Sequence, residues 1–247
     1  MFLKDISKKK IDLQEIAEKY ELPFDHAKAA IEKSISETLS TIFRQDTECL
    51  LTGHGCEINV FRENGVKKLP MEHLKKNVLR AIKYGIVSAL QRESTLRCYK
   101  ELRFMAGRVV SGYVSAVFED RIVAELDTGA GPACGQVMGV CEKSQQTPKE
   151  RGLYRPGWLK FYVLSVEPVL NKVPTLRVSL SRTSTGLTEG LLHVALVDRL
   201  LDTKIKCVKR AAGVFSLVEA GEKIPRECIK KVADELKERV VVHFGQK

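Results

Sequence analysis

The densest group of metal-ligating side chains is "CLLTGHGC", which places Cys49, His54 and Cys56 within one short stretch. Thiolates and imidazoles at such spacing are zinc donors, but a closed structural site needs four of them. No second pair stands at a suitable spacing among the 7 cysteines and 5 histidines. The group therefore reads as buried or half-buried thiols, and no metal or other cofactor is expected. Hydrolysis and phosphoryl transfer find no support either, because the chain has no P-loop, no HExxH and no GxSxG. The carboxylates of "FEDRIVAELD" fall at a turn and along a strand, a solvated placement. A metal-dependent nuclease would need them convergent. The expectation is a protein that is not an enzyme and has no small-molecule substrate.

The residues that do stand out are cationic. With 41 Lys and Arg against 31 Asp and Glu, the formal net charge is +10. Such a surplus suits a polyanion, because each cation set near a phosphate releases condensed counterions; the alternative is that it serves solubility alone. One group sits in "GEKIPRECIKK", where Lys223, Arg226, Lys230 and Lys231 cluster at a helix start. Lys204, Lys206, Lys209 and Arg210 lie on the strand and turn before it. These side chains either contact phosphates, helped by the partial charge of a helix N-terminus, or form a solvated helix face. A second group alternates with aromatic residues in "WLKFYV". Period-two alternation sends Leu159, Phe161 and Val163 inward and leaves Lys160 and Tyr162 outside. Arg108, Tyr113 and Arg121 are their companions on neighbouring strands, while Phe118 and Trp158 read as covers for the barrel ends. Basic side chains beside aromatic platforms are how barrels of this size hold single strands.

The elements that must position these groups fall into three textures. Residues 11 to 43 read as helical, with Ile16, Ala17, Tyr20, Ala27, Ala30, Ile31, Ile35 and Leu39 at three- and four-residue steps. Pro23 interrupts the run, and Asp25 can cap a second helix. "CEINVF" reads as a strand and "RENGVKK" carries a tight turn; Leu74, Val78, Ile82, Ile86 and Leu90 then form the stripe of a long helix. From Gly107 the chain is rich in Val and turn residues, giving five short strands in about 75 residues, a small barrel. From Thr185 a helix, two strands, a second helix opening at Pro225 and a last strand "VVVHF" form a small α+β unit. Across 247 residues there is room for two or three such domains. No apolar run approaches a membrane span, "MFLKDISKKKIDLQ" lacks a signal-peptide core, and scattered odd-numbered cysteines suggest reduced thiols; a cytoplasmic location is expected.

"GRVVSGYV", "RPGWLKFYVLSVEP" and "RVSLSRT" resemble the strands of an S1-type OB barrel. In "LSRTSTGLTEGLLHVALVDRLLDTKIKCVKRAAGVFSLVEA" a barrel strand runs directly into a helix and then a KH-like unit. That order resembles the bacterial transcription elongation, termination and antitermination factor NusA. The resemblance implies a multidomain α+β chain: a helical N-terminal domain with connector helix over 1–104, an S1-type OB barrel over 105–183 and a KH-like domain over 184–247. It implies RNA polymerase and single-stranded RNA as partners, with the N-terminal domain docking on the polymerase. In three respects the residues depart from the family: the N-terminal domain is compact and divergent, the chain has one KH-like unit where the family has two, and "KIPR" stands where the family carries Gly-x-x-Gly. Glycine lets a backbone approach nucleic acid closely, whereas Pro225 fixes φ and Ile224 adds bulk, so the KH-like domain is expected to be degenerate and without the usual clamp. Two other readings stay open. One is a polymerase-binding or competitor module with little RNA binding, the other a generic single-stranded RNA-binding protein in translation or RNA turnover.

Overall fold

The computed structural model describes residues 13–52, 55–129, 134–171, 173–197 and 203–245. The ends of two expected helical runs (11–12 and 198–201), His54 and Lys172 of the "NKVP" turn lie outside these residues. The chain is a mixed α+β protein whose described residues form five α-helices, a closed five-stranded barrel and two three-stranded sheets. It divides into two compact units, Met1–Cys98 with Pro168–Thr175 and Tyr99–Glu167 with Leu176–Lys247. Among the described residues no helix is long and apolar enough to cross a membrane.

In the first unit Pro23 separates α1 (Leu13–Lys19) from α2 (Phe24–Phe43). The cap position of α2 is Pro23 itself, at φ −56°. Asp25, expected as the cap, instead lies in the first turn, where its charge complements the helix dipole. The apolar stripe of these helices is buried at Ile16, Ala17, Ala27, Ile31, Ile35 and Leu39. It packs with the antiparallel sheet β1 (Thr47–Thr52), β2 (Gly55–Arg62) and β3 (Gly65–Leu69) and with the buried face of α3 (Lys76–Leu102). Strand β1 alternates strictly between buried and exposed positions, yet the apolar run Cys49-Leu50-Leu51 hides that alternation in the sequence.

The barrel comprises β4 (Val109–Val117), β5 (Arg121–Asp127), β6 (Met138–Glu142), β7 (Gly157–Val169) and β8 (Thr175–Ser181), closed in the order β4-β5-β6-β8-β7. Strands β6 and β8 are parallel; the pairs β4–β5, β4–β7 and β5–β6 are antiparallel. Val114, Ile122, Ala124, Cys141, Phe161, Val163, Val178 and Leu180 fill the interior, and Leu102 and Met105 at the end of the long helix add to it. The third module is α4 (Thr185–Val197), β9 (Ile205–Ala211), β10 (Phe215–Ala220), α5 (Arg226–Leu236) and β11 (Arg239–Phe244). Its sheet runs β11-β10-β9, with β10 antiparallel to β9 and parallel to β11.

Arg182, between β8 and α4, joins this module to the barrel and is fully buried. Its Nε and Nη2 donate to Glu150 at 3.2 and 2.8 Å, and Nη1 donates to Glu235 Oε1 at 3.0 Å and to the Lys160 carbonyl at 2.9 Å. Nη2 also donates to the Glu235 carbonyl at 3.3 Å, so all five guanidinium N–H groups have acceptors. A charge this deep is tolerated only because it is paired and fully hydrogen-bonded.

Arg182→Met leaves Glu150 buried without its cation, a loss of roughly 3–5 kcal/mol for a broken buried pair. The only tryptophan of the chain, Trp158, lies in this unit, so its fluorescence reports the unfolding. Burial pushes the Glu150 carboxyl up, but Arg182 outweighs burial and holds it below its ordinary 4.5. The pair's contribution is thus complete above the ordinary pKa and lost as pH falls through the lowered one. In the variant, protonation relieves the orphaned carboxylate. The gap in urea midpoint between the two proteins therefore narrows from pH 7 to about pH 4; a gap that is constant over that range counts against the pairing as its source.

Candidate nucleic-acid interface

Alternation along the barrel strands sets two aromatic side chains side by side on the outer surface. Tyr113 of β4 is paired in register with Trp158 of β7. Their ring centroids are 5.7 Å apart with planes at 69°, an edge-on arrangement. Trp158 is 63% exposed and Tyr113 37%. Two further exposed rings carry cations: the Arg121 guanidinium lies 5.5 Å from the Phe118 centroid, and that of Arg108 lies 5.4 Å from Phe104. Phe118 and Arg121 flank the turn between β4 and β5, so they lie on the order of 16 Å along the strand from Tyr113.

Charge is divided around the barrel. Lys143, Lys149, Arg151 and Arg155 are exposed on the segment between β6 and β7 that leads into Trp158. The outer positions of β5 and β6 carry Glu125, Asp127 and Glu142 instead, with Arg121 opposite Glu142 as the exception. A phosphate backbone is favoured on the first side and repelled on the second. The arrangement supplies stacking rings beside cations, and among the described residues no group of three or more His, Cys, Asp or Glu could hold a metal ion.

The predicted site residues meet different fates. Tyr113 belongs to the ring pair itself, whereas Arg108 and Arg121 lie with Phe104 and Phe118 beyond opposite ends of β4 and are not brought into one site with it. Lys160 stands next along β7, half-buried, its ammonium donating to Ser111 Oγ and its backbone N–H donating to Glu235 Oε1 at 3.2 Å. Tyr162, expected outside the barrel, is on the outer face but packs into the core of the third module with Val109. Helix α4 passes so close that a Cβ on Gly186 would meet the Tyr162 ring at 2.3 Å, and one on Gly190 would meet Val109 Cγ2 at 2.4 Å. Tyr162 is therefore no open stacking platform.

Arg210 also departs from expectation. Its guanidinium donates to both carboxylate oxygens of Glu238, at 2.9 and 3.2 Å, and to the Ser184 carbonyl. The two side chains are 1% and 0% exposed, so Arg210 cannot face a phosphate. Gly213 N–H and Ser216 Oγ also donate to the same carboxylate. Lys209, Lys223, Arg226 and Lys230 are exposed. Between Lys223 and Arg226, Ile224 is buried in the module's core and Pro225 is the cap residue of α5 at φ −58°, one position before the helix begins. The "KIPR" loop is anchored inward by its second residue, with no glycine to let RNA close on its backbone. Trp158, expected as a barrel cover, is the largest exposed ring; pairing β4 with β7 from the sequence would have placed it opposite Tyr113.

No protein-family model matches the chain, and no curated protein does.

If these rings stack bases, Trp158→Ala and Tyr113→Ala each weaken binding of a single-stranded oligoribonucleotide by about 1–3 kcal/mol, and binding quenches Trp158 fluorescence. Unchanged affinity in both folded variants removes the site. Tyr162→Ala reports on packing instead. Gly186→Ala lowers the unfolding midpoint, and adding Tyr162→Ala to it restores part of the loss because the ring is the obstacle; losses that simply add would contradict the packing described.

Proposed function

We propose that the chain is a NusA-like factor that acts on the transcription elongation complex by docking on RNA polymerase and touching the emerging RNA. The observation that carries this reading is the junction at Arg182: the last barrel strand passes through "LSRT" straight into α4, and Arg182 holds barrel, connecting segment and third module together. Segment order at this junction is where the resemblance is most specific. The five-stranded closed barrel with parallel third and fifth strands supports the S1-type OB reading. The α–β–β–α–β order of the third module supports a degenerate KH-like domain. The mechanism is positioning: single-stranded RNA held across Tyr113 and Trp158 shifts the balance between pausing, termination and readthrough.

A second reading, a polymerase-binding competitor that scarcely holds RNA, draws on the inward-anchored "KIPR" loop. One experiment separates the two. The purified chain is added to bacterial RNA polymerase elongation complexes whose nascent transcript carries 4-thiouridine. The expected result is co-migration with the complex, altered dwell at a hairpin pause, and a crosslink in the tryptic segment 152–160 that holds Trp158. Trp158→Ala with Tyr113→Ala then removes the crosslink and keeps co-migration. Co-migration without any RNA crosslink selects the competitor, and crosslinking to free RNA without co-migration selects a generic RNA-binding protein.

A further inference from the structure

A different chemistry is set up in the first unit, at side chains to which the proposed function assigns no role. The sulfur atoms of Cys49 and Cys56 lie 2.8 Å apart, and both cysteines are free thiols. In the β1–β2 register Cys49 is paired with Ile58 and Cys56 with Leu51, so the two cysteines are diagonal neighbours on the same face of the hairpin. A disulfide needs its sulfurs near 2.05 Å, so closure asks for a further approach of less than about 1 Å. The strand that carries Cys49 is held in place: its N–H donates to Ser36 Oγ at 2.8 Å, and Leu51 N–H donates to Glu32 Oε1 at 2.7 Å. Access differs between the partners, since Cys49 is 2% exposed and Cys56 is half-buried.

We propose that Cys49 and Cys56 form a thiol–disulfide exchange site that takes a low-molecular-weight disulfide of the glutathione class as its oxidant. The Cys56 thiolate attacks one sulfur of the small disulfide, forming a mixed disulfide on Cys56 and releasing one small thiolate, which takes up the proton lost by Cys56. Cys49 then gives up its proton and attacks the Cys56 sulfur. The Cys49–Cys56 bond forms, the mixed disulfide breaks, and the second small thiol leaves with that proton. The two protein thiols are oxidised and the small disulfide is reduced to two thiols. The order of attack is set by access and by the shared hydrogen bond, which lowers the Cys56 thiol and raises that of Cys49; the thiolate is the nucleophile. Elsewhere the contrast is plain, as burial pushes the Cys141 thiol up to about 12.

Trypsin releases residues 45–62 as one peptide that holds both cysteines, so a bridge is read as the loss of two hydrogens from that peptide. The full-length chain, equilibrated in oxidised glutathione and then alkylated, is expected to show this loss and to fall from 7 free thiols to 5. Cys49→Ser, lacking the resolving thiol, should accumulate the mixed disulfide on Cys56, whereas Cys56→Ser should leave Cys49 reduced. Excess dithiothreitol should restore both thiols in the parent. A parent that stays reduced under these conditions, stops at the mixed disulfide, or forms its bridge between other cysteines overturns the proposal. Equal glutathionylation in the two serine variants overturns the assigned order of attack. Circular dichroism of each variant establishes that it is folded when tested.

Discussion

A single guanidinium decides how the second unit is built. Arg182 stands where the barrel's last strand becomes the helix of the next module, and it meets acceptors from three directions: Glu150 from the β6–β7 segment, the Lys160 carbonyl from β7, and Glu235 from α5. Removing a guanidinium from water carries a desolvation penalty that one carboxylate seldom repays, so every N–H must find an oxygen. That requirement ties the four segments together: none can shift without leaving a buried charge unsatisfied. With β8 and α5 fixed in this way, α4 lies against the outer face of the barrel, where Gly186 and Gly190 admit Tyr162 and Val109. The part of the β4–β7 face left open is the part with Tyr113 and Trp158. The candidate nucleic-acid surface is thus what the junction leaves uncovered.

The same constraint limits how the positive charge is to be read. Arg182 and Arg210 are paired inside the fold with Glu150, Glu235 and Glu238, and because the net charge of +10 counts those carboxylates too, the surplus is carried by the remaining side chains. Cations that can meet phosphate are those on the surface, including Arg151 and Arg155 ahead of Trp158 and Lys223 and Arg226 at the start of α5. Two stacked bases at about 1–3 kcal/mol each would give an intrinsic affinity between roughly tens of millimolar and tens of micromolar, before any phosphate contact is added. On the proposed reading, docking on the polymerase makes so weak a grip effective, because it keeps RNA at a high local concentration.

Periodicity was the legible part of the fold. The stripes Ile31-Ile35-Leu39 and Val78-Ile82-Ile86-Leu90 are core as their spacing predicts, and Phe161 and Val163 point into a barrel. Less legible was whatever depends on partners distant in sequence. Arg182 and Arg210 look like any surface arginine until strands bring Glu150, 32 residues away, and Glu238, 28 residues away, against them. Tyr162 has the alternation of an outward residue and is outward from the barrel; only the passage of α4 covers it. Asp25 has the chemistry of a cap, but Pro23 already occupies that position. Each miss has one origin: local pattern sets which face a side chain takes, whereas tertiary packing sets what that face meets.

The "KIPR" loop carries the same logic to its end. A glycine-framed loop stays available to a ligand because its residues give nothing to the core. Here Ile224 is part of the cluster that includes Leu187, Leu192, Cys228 and Val232, and Pro225 sets the first backbone angle of the helix behind it. Residues that hold a helix against its sheet cannot also yield to an incoming sugar–phosphate chain, since moving them would open the core. Only the side chains of Lys223 and Arg226 remain free to respond, and flexible cations read charge rather than backbone geometry. On the proposed reading, any contribution of this module to RNA binding is electrostatic and independent of sequence, and stacking on the barrel's rings is sequence-tolerant as well.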